Sequence, residues 1–176
     1  AKTLVNTDNS ITKLPTFSIV KTITNALDLN DANDTATYQI VVKNPKVTNT
    51  ANVDYSKAAT NIIIEDVLPT GLVVATPALT VTPTAGSTTG TLTQTTTGFT
   101  LTNASLAIDG TITVILNVKK GTGTLATGAL NHVKVTDDLD DNAATTDNIL
   151  IDSTDSAVEN VGNFYVDNDI DLVNGT

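Results

Sequence analysis

Apolar and polar residues alternate along most of the chain with a period of two, which is typical of strands that face a core on one side. In "TFSIVKTIT", for example, Phe17, Ile19, Lys21 and Ile23 share one face. Gly, Pro, Asn and Asp separate the alternating segments, and no segment has the 3.6-residue period of a helix. The pattern predicts an all-β fold, an antiparallel β-sandwich of about 7–9 strands. The predicted strands are Thr16–Thr24, Thr35–Lys43, Asn61–Leu68, Leu79–Thr84, Gly98–Thr102, Thr111–Lys119, Leu130–Thr136 and Asn148–Asp152.

The stretch "ATNIIIEDVLPTGL", residues 59 to 72, is predicted to be a central strand followed by a turn. Ile62 and Ile64 face one side and Ile63 faces the other, so both faces of this strand should be covered. Glu65 and Asp66 are expected where the strand leaves the core, and Pro69 prevents its continuation. The Leu-Pro-Thr-Gly run is not a sortase signal, because it lacks the variable residue after Pro and lies in mid-chain.

The sequence divides into a sandwich over residues 15–158 and two extensions, residues 1–14 and 159–176. Within the sandwich, Asn44 to Ala59 is a polar insertion between two strong strands. Residues 81 to 98 are dominated by Thr and Gly, which predicts a low-complexity hairpin or an exposed loop.

Five blocks in a fixed order resemble the conserved-repeat Ig-like modules of bacterial and archaeal surface proteins, first classified as domain of unknown function eleven. The blocks are Ser18–Thr24, Thr35–Asn44, Ala59–Leu72, Gly110–Lys119 and Leu130–Asp138. The resemblance implies an Ig-like sandwich with terminal β-segments and a location on the cell surface. Such modules usually occur as repeats in long adhesin-like proteins, whereas this chain carries one module, with a longer insertion after Asn44.

Charge and composition restrict the partners. The net charge is −10, all nine basic residues are Lys, and 17 of the 19 acidic residues are Asp. Such a chain is a poor candidate for binding nucleic acid or anionic lipid. No apolar run approaches the ~18 residues of a membrane span. The chain lacks Met even at position 1, which predicts removal of a secretory signal peptide and an extracellular or cell-surface location, although trimming of an initiator Met is the alternative.

Catalytic chemistry is sparse in this sequence. The single histidine, His132, lies in an alternating strand and is interpreted as a surface or half-buried residue rather than part of a Ser-His-Asp triad. Cys is absent, and no phosphate-binding loop or zinc motif occurs. We therefore do not expect an enzyme.

Clustered Asp residues are the candidates for metal binding, because Ca²⁺ takes oxygen ligands from carboxylates and carbonyls of loops. No cluster has the spacing of an EF-hand. The first-choice calcium site consists of Asp137, Asp138, Asp140, Asp141 and Asp147. The alternative is that these acids merely keep their loops solvated, and no other cofactor is expected.

Lys21 shares its strand face with apolar residues and is predicted to point into the core. An unpaired buried charge costs several kcal/mol, so Lys21 should pair with an acid near the core edge, and Glu65 is the suggested partner. Some surface Ig-like modules instead join such a Lys covalently to an Asn, with an acid as catalyst. Asn131 or Asn148 could serve in that role.

Two function classes remain open. The first is a secreted subunit that polymerises head to tail with copies of itself into an extracellular filament, through a strand donated to the neighbour. The second is an adhesion or binding module within a surface layer or a longer adhesin. The donor strand is expected in residues 1–14, with Leu4, Val5, Ile11 and Leu14 as its apolar residues; the alternative is the C-terminal extension, with Phe164, Val166, Ile170 and Leu172.

Overall fold

Ten strands and no helix make up the part of the chain that the computed structural model describes, which is residues 13, 15–25, 27, 31, 33–125, 130–137, 149–152 and 159–160. The strands are β1 (Ser18–Asn25), β2 (Ala36–Lys43), β3 (Ala59–Val67), β4 (Leu72–Pro83), β5 (Thr91–Thr95), β6 (Gly98–Leu106), β7 (Thr111–Lys120), β8 (Leu130–Asp137), β9 (Ile149–Asp152) and β10 (Glu159–Asn160).

The strands form two antiparallel sheets. The first has the order β1-β2-β7-β4. The second has the order β10-β8-β3-β6-β5, and β9 pairs with β8 on the same side as β10. The all-β prediction of an antiparallel sandwich is confirmed.

The core lies between the sheets and follows directly from the alternation. In β2, Ala36, Tyr38, Ile40 and Val42 are fully buried, while the residues between them are half-buried. The same period places every second residue of β7 in the core. The core contains few aromatic rings, so its volume comes mainly from Val, Ile, Leu and Ala.

The β3 strand is central, as its isoleucines predict, because β8 and β6 pair with its two sides. Ile62 and Ile64 are fully buried and Ile63 is half-buried on the other face. The chain then turns at Pro69 to Leu72, where the Leu72 N–H donates to the Pro69 carbonyl at 3.1 Å. Gly71 has a φ of 100°, and a Cβ there would come within 2.6 Å of the Leu125 nitrogen, so the turn requires Gly.

Three strands differ most from the sequence prediction: β4 begins earlier, β6 extends to Leu106 instead of Thr102, and β5 lies in a segment predicted as a hairpin or loop. The strand predicted from Leu79 already begins at Leu72, and a register shift between Val74 and Leu79 interrupts its pairing with β7. This irregularity breaks the alternation by which the first half could have been recognised. The Thr-rich segment contains the edge strand β5, whose residues are all exposed, so no apolar face marks it in the sequence.

The polar insertion after β2 is anchored by Asn44, which is 1% exposed. Its Oδ1 accepts from the Thr16 N–H at 3.0 Å, and its Nδ2 donates to the Lys57 carbonyl at 2.8 Å. Ser56 closes the insertion by accepting a hydrogen bond from the Val47 N–H at 2.7 Å. One buried amide thus joins the chain before β1 to the end of the insertion.

Both extensions lie almost wholly outside the described residues. The boundary predicted at residues 158 and 159 falls beside β10, which the structure places within the second sheet. In the described ranges, no helix has the length and apolar character needed to span a membrane.

Candidate functional site

A lysine in the core is the first unusual feature of the sandwich. Lys21 lies in the middle of the edge strand β1, opposite Ile40 of β2, and is 3% exposed. Its strand neighbours Ile19 and Ile23 face the same way, so the alternation forces Lys21 inward. The sequence prediction that Lys21 points into the core is confirmed.

The partner of Lys21 is Asp66, which reaches it from the opposite sheet. Asp66 lies near the end of β3 on the same face as Ile62 and Ile64, and it is fully buried. Lys21 Nζ lies 2.5 Å from Asp66 Oδ2, and both side chains are completely shielded from solvent. Lys21 Nζ also lies 4.5 Å from the centroid of the Tyr38 ring, which provides a cation–π contact. The ion pair therefore connects the two sheets through the core.

Asn131 completes the cluster from β8. Asp66 is opposite Val133 in the β3–β8 register, so Asn131 is a diagonal neighbour of Asp66 on the same core-facing side. Asn131 is 0% exposed, yet in the described part of the chain neither its Nδ2 nor its Oδ1 has a hydrogen-bond partner. Asp66 Oδ1 is likewise buried without one. An amide with both polar atoms unsatisfied is rare in a protein core and calls for an explanation.

Burial raises the pKa of the Asp66 carboxyl above its ordinary value of 3.8, because desolvation disfavours the charged form. The positive charge of Lys21 and its hydrogen bond lower the pKa, and so does the Asn131 side chain, which lies close to the carboxylate without the geometry of a regular hydrogen bond, but together they do not overcome the desolvation. Asp66 thus has a proton affinity above that of an exposed Asp, beside a lysine amine and an amide. These are the groups needed for proton transfer next to a nucleophile.

The suggested pairing of Lys21 with Glu65 is wrong. Glu65 lies on the outer face of β3, where its carboxylate is 3.5 Å from Lys134 Nζ and both side chains are about two-fifths exposed. A side chain on that face cannot reach the core, whereas the next residue can. The signal was present in the sequence, because the alternation that buries Ile62 and Ile64 also buries Asp66.

The predicted metal ligands Asp138, Asp140, Asp141 and Asp147 lie outside the described residues, and Asp137 is the last residue of β8. Among the described residues, no group of three or more His, Asp or Glu is close enough to hold a metal ion. The calcium site therefore stays a prediction. The donor-strand residues of both extensions, Leu4, Val5, Ile11, Leu14, Phe164, Val166, Ile170 and Leu172, also lie outside the described residues.

An exposed histidine and a shallow pocket lie on the surface of the sandwich. His132 is exposed on β8, in agreement with its interpretation as a surface residue. A shallow pocket of about 420 Å³ lies beside the turn that follows β3, lined by residues 67–73, Thr97 and residues 121–123.

Comparisons with known proteins support the architecture. No family model matches the chain, and no curated protein matches it significantly. Among solved structures, the RrgA Jo.In complex is similar with a TM-score of 0.50 and 11% identity, over 76% of this chain and 74% of that one. The fold is therefore an Ig-like β-sandwich, as the sequence predicts.

Two pilus proteins are more distantly similar in structure. The pilus backbone RrgB of Streptococcus pneumoniae has a TM-score of 0.43 and 19% identity, over 70% of this chain and 31% of that one. The major pilin SpaA of Corynebacterium diphtheriae, described as pointing to a modular pilus assembly with stabilizing isopeptide bonds, has a TM-score of 0.43 and 17% identity, over 74% and 34%. This chain thus spans about a third of either pilin.

Proposed function

We propose that this chain is a structural, non-enzymatic subunit of an extracellular filament, in which each subunit donates a strand to its neighbour. The observation that carries the proposal is the incomplete edge of the second sheet at β8. Among the described residues, two short segments cover this edge instead of one strand of matching length.

The outer side of β8 pairs with β10 at one end and with β9 at the other. The two-residue β10 pairs with Leu130 and Asn131, and the four-residue β9 pairs with residues 134 to 137. Both come from the part of the chain that follows β8, so they can be displaced without disturbing the rest of the sheet. An incoming strand of eight residues would form one continuous ladder there, and edge strands pair readily with other chains.

The same side of the sandwich carries the edge of the other sheet. The edge strand of that sheet is β1, and β10 lies next to it. Residues 1–14 precede β1 in the chain, so the proposed donor strand is attached to the sheet edge that lies next to β10. Donation from one subunit to the next is a head-to-tail contact that need not close on itself, which produces a fibre.

The composition suits this mode of assembly. The chain has no Cys, so subunits cannot be joined by disulfides, whereas main-chain hydrogen bonds and apolar side chains require none. Leu4, Val5, Ile11 and Leu14 would supply the apolar contacts. The resemblance to surface-protein modules supports an extracellular location. Both this location and the removal of a signal peptide are part of the proposal.

Deletion of residues 1–14 tests the proposal. The truncated protein should remain a folded monomer by circular dichroism and size-exclusion chromatography, and it should form no filaments by negative-stain microscopy. Deletion of residues 161–176 is the matched control and should leave the filaments intact. If the N-terminal truncation still polymerises and the C-terminal one does not, donation by Phe164, Val166, Ile170 and Leu172 replaces our proposal.

Engineered cysteines locate the acceptor, since the natural chain contains none to interfere. Val5→Cys combined with His132→Cys, which is exposed on β8, should give a ladder of disulfide-linked multimers on mild oxidation. Val5→Cys combined with Thr93→Cys, exposed on the distant edge strand β5, is the control and should not. If only the combination of Val5→Cys with Thr93→Cys gave a ladder, the acceptor would be β5 and not β8.

The second candidate function is an adhesion or binding module of a surface layer or a longer adhesin. The pocket beside the turn after β3 favours this alternative, because it offers backbone and hydroxyl groups to a ligand. Negative-stain microscopy of the native material separates the two functions, since an adhesion module would show no filaments built of this chain alone.

A further inference from the structure

The core contains the Lys21 amine beside a carboxyl and an amide, and the carboxyl and the amide have incomplete hydrogen bonding in the described structure. Lys21 Nζ and Asp66 Oδ2 satisfy one another at 2.5 Å, while Asp66 Oδ1 and both polar atoms of Asn131 are buried without hydrogen bonds in the described structure. Leaving a buried polar atom without a hydrogen bond destabilises a fold, because the atom has lost its contact with water and gained nothing in return. Three such atoms in one cluster beside a buried lysine therefore call for a chemical explanation.

We propose that Lys21 and Asn131 condense into an intramolecular isopeptide bond in the folded protein, with Asp66 as the proton carrier. The three residues come from β1, β3 and β8, and only the completed sandwich brings them together. The proposal does not depend on the filament function, because the reaction takes place within one chain.

The reaction needs no oxidant, metal or further reactant. Asp66 takes a proton from the Lys21 ammonium, and the neutral Nζ attacks Cγ of Asn131. In the resulting tetrahedral intermediate, a second proton from Nζ is passed by way of Asp66 to Nδ2, and the bond between Cγ and Nδ2 breaks. The products are the amide between Nζ and Cγ, one ammonia and a protonated Asp66, so that atoms and charge balance.

The surroundings favour this reaction in three ways. The groups are held together by the sheets, which replaces a bimolecular encounter by a preorganised one. The buried site disfavours the charged ammonium–carboxylate pair relative to the neutral amine and acid, which is the reactive form. Water is excluded, so hydrolysis of the new amide is suppressed. The raised pKa of Asp66 is consistent with its role as an acid.

Formation of the bond accounts for the buried polar atoms of Asn131 and Asp66 that lack hydrogen bonds. The Asn131 nitrogen that lacked a partner leaves as ammonia, and the protonated Asp66 can donate to the new carbonyl oxygen. The bond would connect β1 of one sheet to β8 of the other by a covalent cross-link. If the chain is a filament subunit, this cross-link joins the strand that follows residues 1–14 to the proposed acceptor edge.

Intact mass of the full chain and peptide mapping test the proposal. The folded protein should be lighter than its sequence by one ammonia. Trypsin should not cut after Lys21, and a linked pair of peptides, residues 14–43 joined to residues 121–134, should be found. The linked pair is the decisive observation, because succinimide formation at Asn174-Gly175 would also release ammonia without linking anything.

Variants assign the roles. Lys21→Met, Asn131→Ala and Asp66→Asn should each restore the full mass expected for the variant sequence. Asn148→Ala should keep the bond, as should Glu65→Gln, an acid next to Asp66 that faces outward. The N-terminal truncation should also remain cross-linked, so failure of the filament proposal is distinguishable from failure of this one.

Two results would overturn the inference. One is a natural-sequence protein whose mass equals that of its sequence after prolonged incubation in the folded state. The other is a linked peptide pair that persists in Asn131→Ala or lacks residue 131. The intact mass and the peptide map of the natural sequence do not depend on whether any variant folds.

Discussion

Glu65 and Asp66 follow one another in β3, and their carboxylates lie on opposite faces of the sheet. Asp66 is fully buried against Lys21, while Glu65 lies near the surface at 3.5 Å from Lys134. The same chemical group thus occurs in two environments one residue apart. A buried pair is costly to break because the remaining charge has no partner, whereas a pair in contact with water is replaced by hydration.

Truncation of the two acids should therefore have very different effects on stability. Asp66→Ala leaves the Lys21 ammonium without its carboxylate, and it also removes the proton carrier of the proposed cross-link. It should therefore lower the free energy of unfolding by at least about 3–5 kcal/mol or prevent folding. Glu65→Ala is the matched control and should lower it by less than about 1 kcal/mol. Urea denaturation followed by circular dichroism measures both. Equal losses in the two variants would contradict the assignment of Asp66 to the core.

The strands and the core could be predicted from the sequence because both depend on a period of two that survives in most segments. Strands were not predicted where that period is interrupted, as in the first half of β4, or where both faces are exposed, as in β5. The Lys21 position was predictable for the same reason. Its partner was missed because two adjacent acids are equally plausible by charge, and only the alternation distinguishes them.

The diagonal approach of Asn131 to Asp66 was not predictable in detail. It depends on the antiparallel register of β3 and β8, which places Val133 opposite Asp66. A register that is one residue different would turn Asn131 to the outer face. The sequence could offer Asn131 and Asn148 as candidates. The structure places Asn131 diagonally to Asp66, whereas Asn148 lies outside the described residues.

The titration of Asp66 should contribute to the pH dependence of the free energy of unfolding. Its pKa is raised in the folded state, mainly by desolvation, so the folded protein binds more protons than the unfolded one above pH 3.8. The contribution of Asp66 is fully present below that pH and is lost as the pH rises through the folded pKa. Stability of the Lys21→Met protein, which cannot form the cross-link, relative to the double variant Lys21→Met, Asp66→Asn should therefore decrease from pH 4 upward.

Urea denaturation of both proteins between about pH 4 and pH 8 provides the comparison. Asn has nearly the shape of Asp and does not titrate, and neither protein contains Lys21 or a cross-link, so the difference between the two curves isolates the carboxyl at position 66. A difference that stays flat, or that increases with pH, would show that the carboxyl is not destabilised by burial.

Calcium should stabilise the protein if the acidic cluster of Asp137, Asp138, Asp140, Asp141 and Asp147 binds it. A ligand that binds only the folded state adds about 2.7 kcal/mol when its concentration is 100 times its dissociation constant. Chelation should then lower the melting temperature, and the double variant Asp140→Asn, Asp141→Asn should abolish the response. An unchanged melting temperature in chelator, together with no metal in elemental analysis, would exclude the site.

Replacement of Asn131 should separate the cross-linked core from one that is only ion-paired. In an ion-paired core, Asn131→Leu removes two unsatisfied polar atoms and should be neutral or stabilising. In a cross-linked core, it removes a covalent closure of a loop of roughly 100 residues, which is worth about 5 kcal/mol in the loop-entropy model. The melting temperature should then fall by about 10–20 °C for a chain of this size.

Scanning calorimetry of the two proteins at neutral pH decides between these outcomes. We expect the melting temperature of Asn131→Leu to fall by the larger amount, because a reaction with Lys21 explains the buried Asn131 amide better than an unreacted side chain does. Glu65→Ala is the appropriate control, since it removes a polar contact from the same sheet without touching the core. An Asn131→Leu protein that melts at or above the temperature of the natural one would show that Lys21 and Asp66 act as an ion pair alone.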